Sequence, residues 1–365
     1  MGVLRLTSSA ILLVFSVFLI DFCLGDDNQP RSSRSDLTMV NSCSVTLYIE
    51  GRMGAQGQPL PGHSTTFTRV DPGQSVSFDI PATGAQSTRF WAKYGCDDNG
   101  RNCLIGDSMQ YWPDGGCPLG GCQPPIDSLF EATWGCEPGS SCNTQNPTTW
   151  WDTSQVDGWT IPYQVHLYGE TNKCDCSGTN CPALTLIDAS RLDLASCPRS
   201  EDASNGGLYN SFDGLSMKNL DLRYRKNNMT LGCMSPCKRL TYSDPFGFGM
   251  SEASGPALMM CCPTPNPTNC LQSQGCVTAQ ECKAGPIENS NYVRAVHRMS
   301  PGVYAYSYDD GVGLHACPAG TVQYEMEFCP SGSTPFPDRS DATSVMQHTS
   351  LYLLLSVIFV SVYFL

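Results

Sequence analysis

Twenty-one cysteines in 365 residues set the terms on which this chain can fold. One of them, Cys23, lies in a leader. Residues 1–25 hold a single positive charge at Arg5, then the apolar run Ala10 to Ile20, then a short end, Asp21 to Gly25, before Asp26. That order is the pattern of a secretory signal peptide, and a bilayer-spanning helix needs ~20 apolar residues. Removing the leader leaves an even number of cysteines. In an oxidising compartment such density predicts a disulfide framework rather than free thiols. Cys174 with Cys176, and Cys261 with Cys262, give a metal reading some local support. No histidines stand at the spacing of a zinc module, so neither a metal nor another cofactor is expected.

The other end carries a second address. Residues 343–365 end in the apolar run Leu351 to Leu365, with no Lys or Arg after it. Ahead lies the small trio Ser340, Asp341, Ala342, set within a polar stretch that begins at residue 331. Small trio, polar spacer and terminal apolar tail are the parts of a GPI attachment signal, with Ser340 as the attachment residue. The alternative is a membrane tail, for which the run is short and lacks a basic cluster to orient it. Both readings display the protein on the outer cell surface, with the membrane engaged only through the C-terminal anchor. Asn228, in Asn-Met-Thr, is an N-glycosylation acceptor. A formal net charge of −13 repels phosphate backbones and argues against nucleic acid as a partner.

Between the two addresses, residues 26–39 are polar and read as a flexible lead. From Val40 the pattern changes to short alternating runs, including "CSVTLYIEG", "STTFTRV", "SVSFDIPA" and "TRFWAKYG", each closed by Gly, Pro or Asp. Helical periodicity is scarce, and Asn291 to Met299 is one of few candidates. The expected fold is mainly β: an antiparallel β-sandwich core with disulfide-rich loops, one monomeric domain over residues 40–330.

Eight segments in order then carry a resemblance. "VNSCSVTLYIEG", "RFWAKYGC", "CQPPIDSLFEATW", "WWDTSQVDGWTIPYQV", "CPALTLIDASRLDLASCP", "GCMSPC", "MMCCP" and "YAYSYDDG" follow one another as in thaumatin-like proteins of the pathogenesis-related type. The resemblance spans about residues 40 to 330. It implies the pairs Cys43–Cys329, Cys96–Cys103, Cys117–Cys122, Cys176–Cys317, Cys197–Cys233, Cys237–Cys261 and Cys262–Cys270. The cysteines left over are assigned as Cys136–Cys142, Cys276–Cys282 and Cys174–Cys181. The chain departs from the family where Ser108 and Ser300 stand in place of cysteines.

Many members of that family have an acidic cleft of one Arg, one Glu and three Asp, associated with binding or slow hydrolysis of β-1,3-glucan. Carried over, the Glu falls on Glu131 and two Asp on Asp152 and Asp157. The Arg position holds Gln123 and the third Asp position holds Gly302. A separation of five residues puts Asp152 and Asp157 on opposite faces of an unbroken strand, so a turn at Val156-Asp157-Gly158 is required to bring them together. Glycoside hydrolysis needs two carboxyls, one kept protonated by its surroundings, and Glu131 as acid with Asp152 as base or nucleophile is the expected pairing. Trp151 and Trp159 are the candidate stacking surfaces for sugar. Against this stands a plainer reading, in which Asp157 is a turn residue and the tryptophans are core. The functions to be weighed are a tethered β-glucan-binding protein with a defence or cell-wall role, a weak endo-β-1,3-glucanase, and a surface adhesion protein without sugar chemistry.

Overall fold

The alternating runs become strands. The structure is a computed structural model that describes residues 36–336, except 55–56, 107–125, 141–146, 176–180, 213, 227, 243–246, 254, 264–274 and 333–334. In chain order the strands are β1 (Leu37–Asn41), β2 (Leu47–Met53), β3 (Phe67–Val70), β4 (Ser75–Phe78), β5 (Ala85–Tyr94) and β6 (Leu129–Trp134). There follow β7 (Thr148–Ser154), β8 (Gly158–Trp159), β9 (Tyr163–Gly169), β10 (Leu186–Ala189), β11 (Ser211–Phe212) and β12 (Leu215–Ser216). The last four are β13 (Arg223–Lys226), β14 (Met229–Met234), β15 (His315–Pro318) and β16 (Val322–Phe328).

Two sheets form the sandwich: one ordered β10-β9-β16-β1-β4, the other β15-β7-β6-β5-β2-β3. A smaller sheet, β13-β14-β8, and the hairpin β11-β12 lie outside it. Alternation decides which side chains meet between the sheets. Tyr324, Met326 and Phe328 of β16 point inward from one side, and Phe130 and Trp151 from the other. The ring of Tyr324 stands edge-on to Phe130 at 5.7 Å, and Phe78 meets Phe90 at 4.9 Å. The described chain also has five short α-helices, α1 (Pro236–Thr241), α2 (Gly255–Cys261), α3 (Ala279–Lys283), α4 (Asn291–Met299) and α5 (Asp310–Gly313), and 3-10 turns at Thr171–Lys173 and Leu194–Ser196. Helix α4 covers the stretch its periodicity marked, capped by the Ser290 hydroxyl, which accepts from the Val293 amide. No helix among the described residues is long and apolar enough to cross a membrane.

Three details differ from expectation. The sheets are antiparallel except at β1 and β16, which pair in parallel from Leu37↔Tyr324 to Asn41↔Phe328. Residues 37–39, assigned above to a flexible lead, are the start of β1, because Leu37 and Met39 fill the core. Beyond residue 330, Phe336 stacks on Tyr94 at 5.2 Å, so the packed domain runs past the expected start of the linker.

The disulfides follow the sheets. Cys43–Cys329, Cys96–Cys103, Cys197–Cys233 and Cys237–Cys261 form. Cys317 joins Cys174 rather than Cys176, which also overturns Cys174–Cys181. The reason is local: the Asp175 amide donates to the Ala316 carbonyl at 2.7 Å, and the Asp175 carboxylate accepts the Ala316 amide at 2.7 Å. That two-way link lays Cys174 beside Cys317. Likewise Cys262 joins Cys282, which overturns both Cys262–Cys270 and Cys276–Cys282. Here the Val277 amide donates to the Pro263 carbonyl and brings α3 back against the end of α2. Cys136, Cys181 and Cys276 are disulfide-bonded as well. Cys117, Cys122, Cys142, Cys176, Cys270 and Ser340 lie outside the described residues. Asn228 is exposed at the β13–β14 turn, with the positive φ that Asn tolerates.

Two buried acids show how the sandwich handles charge. Glu50 lies between Arg52 and Lys93, each at 2.7 Å, with all three side chains at 7% exposure or less. Asp127, just before β6, is 1% exposed and accepts the Thr160 hydroxyl at 2.8 Å. Burial pushes its carboxyl up to about 7, against the pull of the Thr160 hydroxyl, the Gly106 amide and Lys93.

Candidate functional site

Strand register brings the functional side chains together. On the outer face of the six-stranded sheet, Arg89 of β5 lies opposite Glu131 of β6, and Glu131 lies opposite Asp152 of β7. Directly opposed residues on neighbouring strands hold their Cβ atoms ~5 Å apart, so a cation and two carboxylates form one row across three strands. The Arg89 Nε donates to Glu131 Oε1 at 2.7 Å.

Asp157 reaches this row through the turn the sequence required. Strand β7 ends at Ser154, and the chain reverses into β8 at Gly158, whose φ is 153°. A Cβ there would stand 2.3 Å from the Cys233 carbonyl oxygen, so only glycine fits, and Asp157 is fixed one residue earlier. Its Oδ1 pairs with Lys238 Nζ of α1 at 3.2 Å, and that lysine also faces Glu252 at 3.7 Å.

Asp310, at the start of α5, closes the other side. The segment before it is tied to β7, with the Tyr304 amide donating to the Thr153 carbonyl and the Gln155 amide to the Tyr304 carbonyl. The Tyr304 hydroxyl then donates to Asp310 Oδ1 at 2.5 Å. Next to it, Asp309 accepts His297 Nε2 at 2.7 Å and the Ala305 amide at 2.9 Å, which fixes the turn.

The electrostatics follow from crowding. Burial raises the Glu131 carboxyl; Arg89 opposes the rise and the charge of Asp157 adds to it. Asp152 is raised well above the usual carboxylate range, first by burial, then by Glu131 and Asp310, with Arg89 again opposing. Asp152 Oδ1 is buried without a hydrogen-bond partner. Of the two opposed acids, Glu131 holds the cation, and the carboxyl of Asp152 is pushed up by burial and by the charge of Glu131.

The structure therefore brings Glu131, Asp152 and Asp157 together and adds two groups that sequence reasoning missed. Arg89 supplies the cation that the resemblance left missing at Gln123, a residue outside the described ones. Asp310 supplies the carboxylate that the resemblance left missing at Gly302, whose carbonyl meets His315 Nε2 at 3.1 Å. Arg89 stands two residues before Trp91 in the quoted "RFWAKYGC", and Asp310 closes "YAYSYDD".

The tryptophans divide differently from expectation. Trp151 and Trp159 are both fully buried. Trp151 stacks on Phe130 at 5.7 Å and meets His315 at 4.8 Å, while Trp159 packs on Tyr292 at 5.2 Å. Neither offers a face to a ligand. Among the described residues, Cys237, Glu252 and Cys261 are the group close enough together to hold a cation, and their mutual disulfide occupies both sulfurs.

Comparison with known proteins places these residues in context. A model of the thaumatin family matches residues 41–246. Thaumatin-like protein 1 of Arabidopsis thaliana is 27% identical over 304 residues, covering 82% of this chain and 88% of that one. A glucan endo-1,3-beta-glucosidase of Prunus avium is 26% identical over 302 residues, covering 80% and 90%. Among solved structures, a laminaripentaose-producing beta-1,3-glucanase in complex with laminaritetraose aligns at 14% identity and a TM-score of 0.39, covering 80% of this chain and 97% of that one.

Proposed function

Because this chain belongs to the thaumatin family, we propose that it is an extracellular β-1,3-glucan-binding protein with a defence or cell-wall role, tethered to the cell surface. The observation that carries the reading is the row Arg89–Glu131–Asp152, flanked by Asp157 and Asp310. Sugar hydroxyls are both donors and acceptors. A paired carboxylate at Glu131 accepts from them, the Arg89 guanidinium donates, and Asp152, whose carboxyl is raised by burial, adds a further polar group. The glucosidase name of the Prunus avium relative supports the choice of glucan. Tethering rests on the C-terminal signal with Ser340, and the extracellular location on the leader and the disulfides. Labelled laminarin incubated with the mature protein tests the reading. Retention by the parent, lost on Glu131→Gln, supports it, and no retention by the parent refutes it. Release of the protein from intact cells by phosphatidylinositol-specific phospholipase tests the anchor.

A second reading, slow endo-β-1,3-glucanase activity, is favoured by the opposed carboxyls of unequal proton affinity. In it Asp152 protonates the glycosidic oxygen and Glu131 acts as base or nucleophile, the reverse of the assignment expected from sequence. Release of reducing ends from laminarin, abolished by Asp152→Asn, is its test.

A further inference from the structure

The tryptophan that faces the acidic row is Trp150. Side chains alternate along β7, so Trp150 shares the outer face with Asp152 while Trp151 turns into the core. Trp150 is 44% exposed, far more than any other described tryptophan, and it stacks on no ring among the described residues. Its cross-strand neighbours are small: Thr133 of β6 on one side and Ala316 of β15 on the other. Beyond Thr133, the Ser87 amide donates to the Thr133 hydroxyl at 3.3 Å. An indole face with hydroxyl groups along its edge therefore lies one residue pair, about 7 Å, from the Glu131–Asp152 pair.

We propose that Trp150 forms a separate sugar subsite, taking one pyranose ring of a glucan chain whose next residues lie over Glu131 and Asp152. The axial C–H groups of a pyranose carry partial positive charge and pack on the negative face of an indole, while ring hydroxyls reach Thr133 and Ser87. The chain then runs along β7, from Trp150 past Asp152 toward Asp157 and Lys238. The inference rests on the β-glucan reading above and adds a direction and a length requirement to it.

Calorimetric titration of the mature protein with laminarihexaose and laminaribiose tests it. Trp150→Ala is expected to weaken hexaose binding about 10-fold and leave biose binding within about 2-fold, and Trp150→Phe to keep most of the hexaose affinity. Trp150 lies on the surface, and unchanged near-ultraviolet circular dichroism confirms that the variants fold. Equal hexaose affinity in parent and Trp150→Ala overturns the subsite while leaving the glucan reading intact. Equal loss for both sugars also overturns it, because the indole would then act on the acidic row itself. If the parent binds neither sugar, the glucan reading falls and takes the subsite with it.

Discussion

Asp127 offers the most quantitative test of the physical reasoning. Its carboxyl rises from an ordinary 3.8 to about 7 on folding, so the folded chain holds a proton that the unfolded chain releases between those values. In that window the native state binds more protons. Stability therefore falls as pH rises, is fully present below pH 4, and levels off above pH 7. The shift of about 3 pKa units corresponds to roughly 4 kcal/mol across the window, of which about 3 kcal/mol is lost by pH 6. Asp127→Asn keeps an oxygen for the Thr160 hydroxyl and removes the titration. Urea unfolding of parent and variant at half-unit steps from pH 3.5 to 8 gives the difference in free energy directly. Contributions of Glu131 and Asp152 have the same sign and cancel in that difference. The variant is expected to gain about 4 kcal/mol on the parent from the acid end to the alkaline end. A difference constant to within about 0.5 kcal/mol would refute the reasoning, since it would mean that Asp127 is ionised in the fold at no cost.

Arg89→Gln is expected to change stability by less than about 1 kcal/mol, because the Arg89 side chain is 46% exposed, yet to weaken laminarin retention clearly. Denaturation and pull-down on the same preparation separate the two effects. Glu50→Gln removes the buried carboxylate that lies between Arg52 and Lys93 and is expected to cost about 3–5 kcal/mol, read from the urea midpoint. Replacing Cys43 and Cys329 by Ala opens a closure of 286 residues and is expected to cost about 5 kcal/mol, seen as a large drop in melting temperature.

The strands were legible because a half-buried strand writes its period into the sequence: β3 and β4 fall inside the alternating runs quoted, and β2 and β5 overlap theirs. What the sequence withholds is register. Arg89 stands in a run that was read as a strand, but only its pairing across from Glu131 makes it the partner of that acid. The four overturned cysteine pairs likewise turn on contacts between distant segments. Cys174 and Cys176 flank one residue, and the reciprocal hydrogen bonds between Asp175 and Ala316 choose between them. The tryptophans are a different case. The rule of alternation, applied to Asp152 and Asp157, would also have separated Trp150 from Trp151. The parallel pairing of β1 and β16 left no local trace, since the two strands lie at opposite ends of the chain.

That pairing has a mechanical consequence. A pull on the segment beyond Phe336 meets β16 at its Cys329 end, where the disulfide passes part of the load to Cys43 and so to β1. Both strands are then drawn in the same direction along their length, and the ladders to β9 and β4 are loaded in shear, all bonds at once, instead of being peeled one by one. A domain loaded in this way resists being drawn out like a thread.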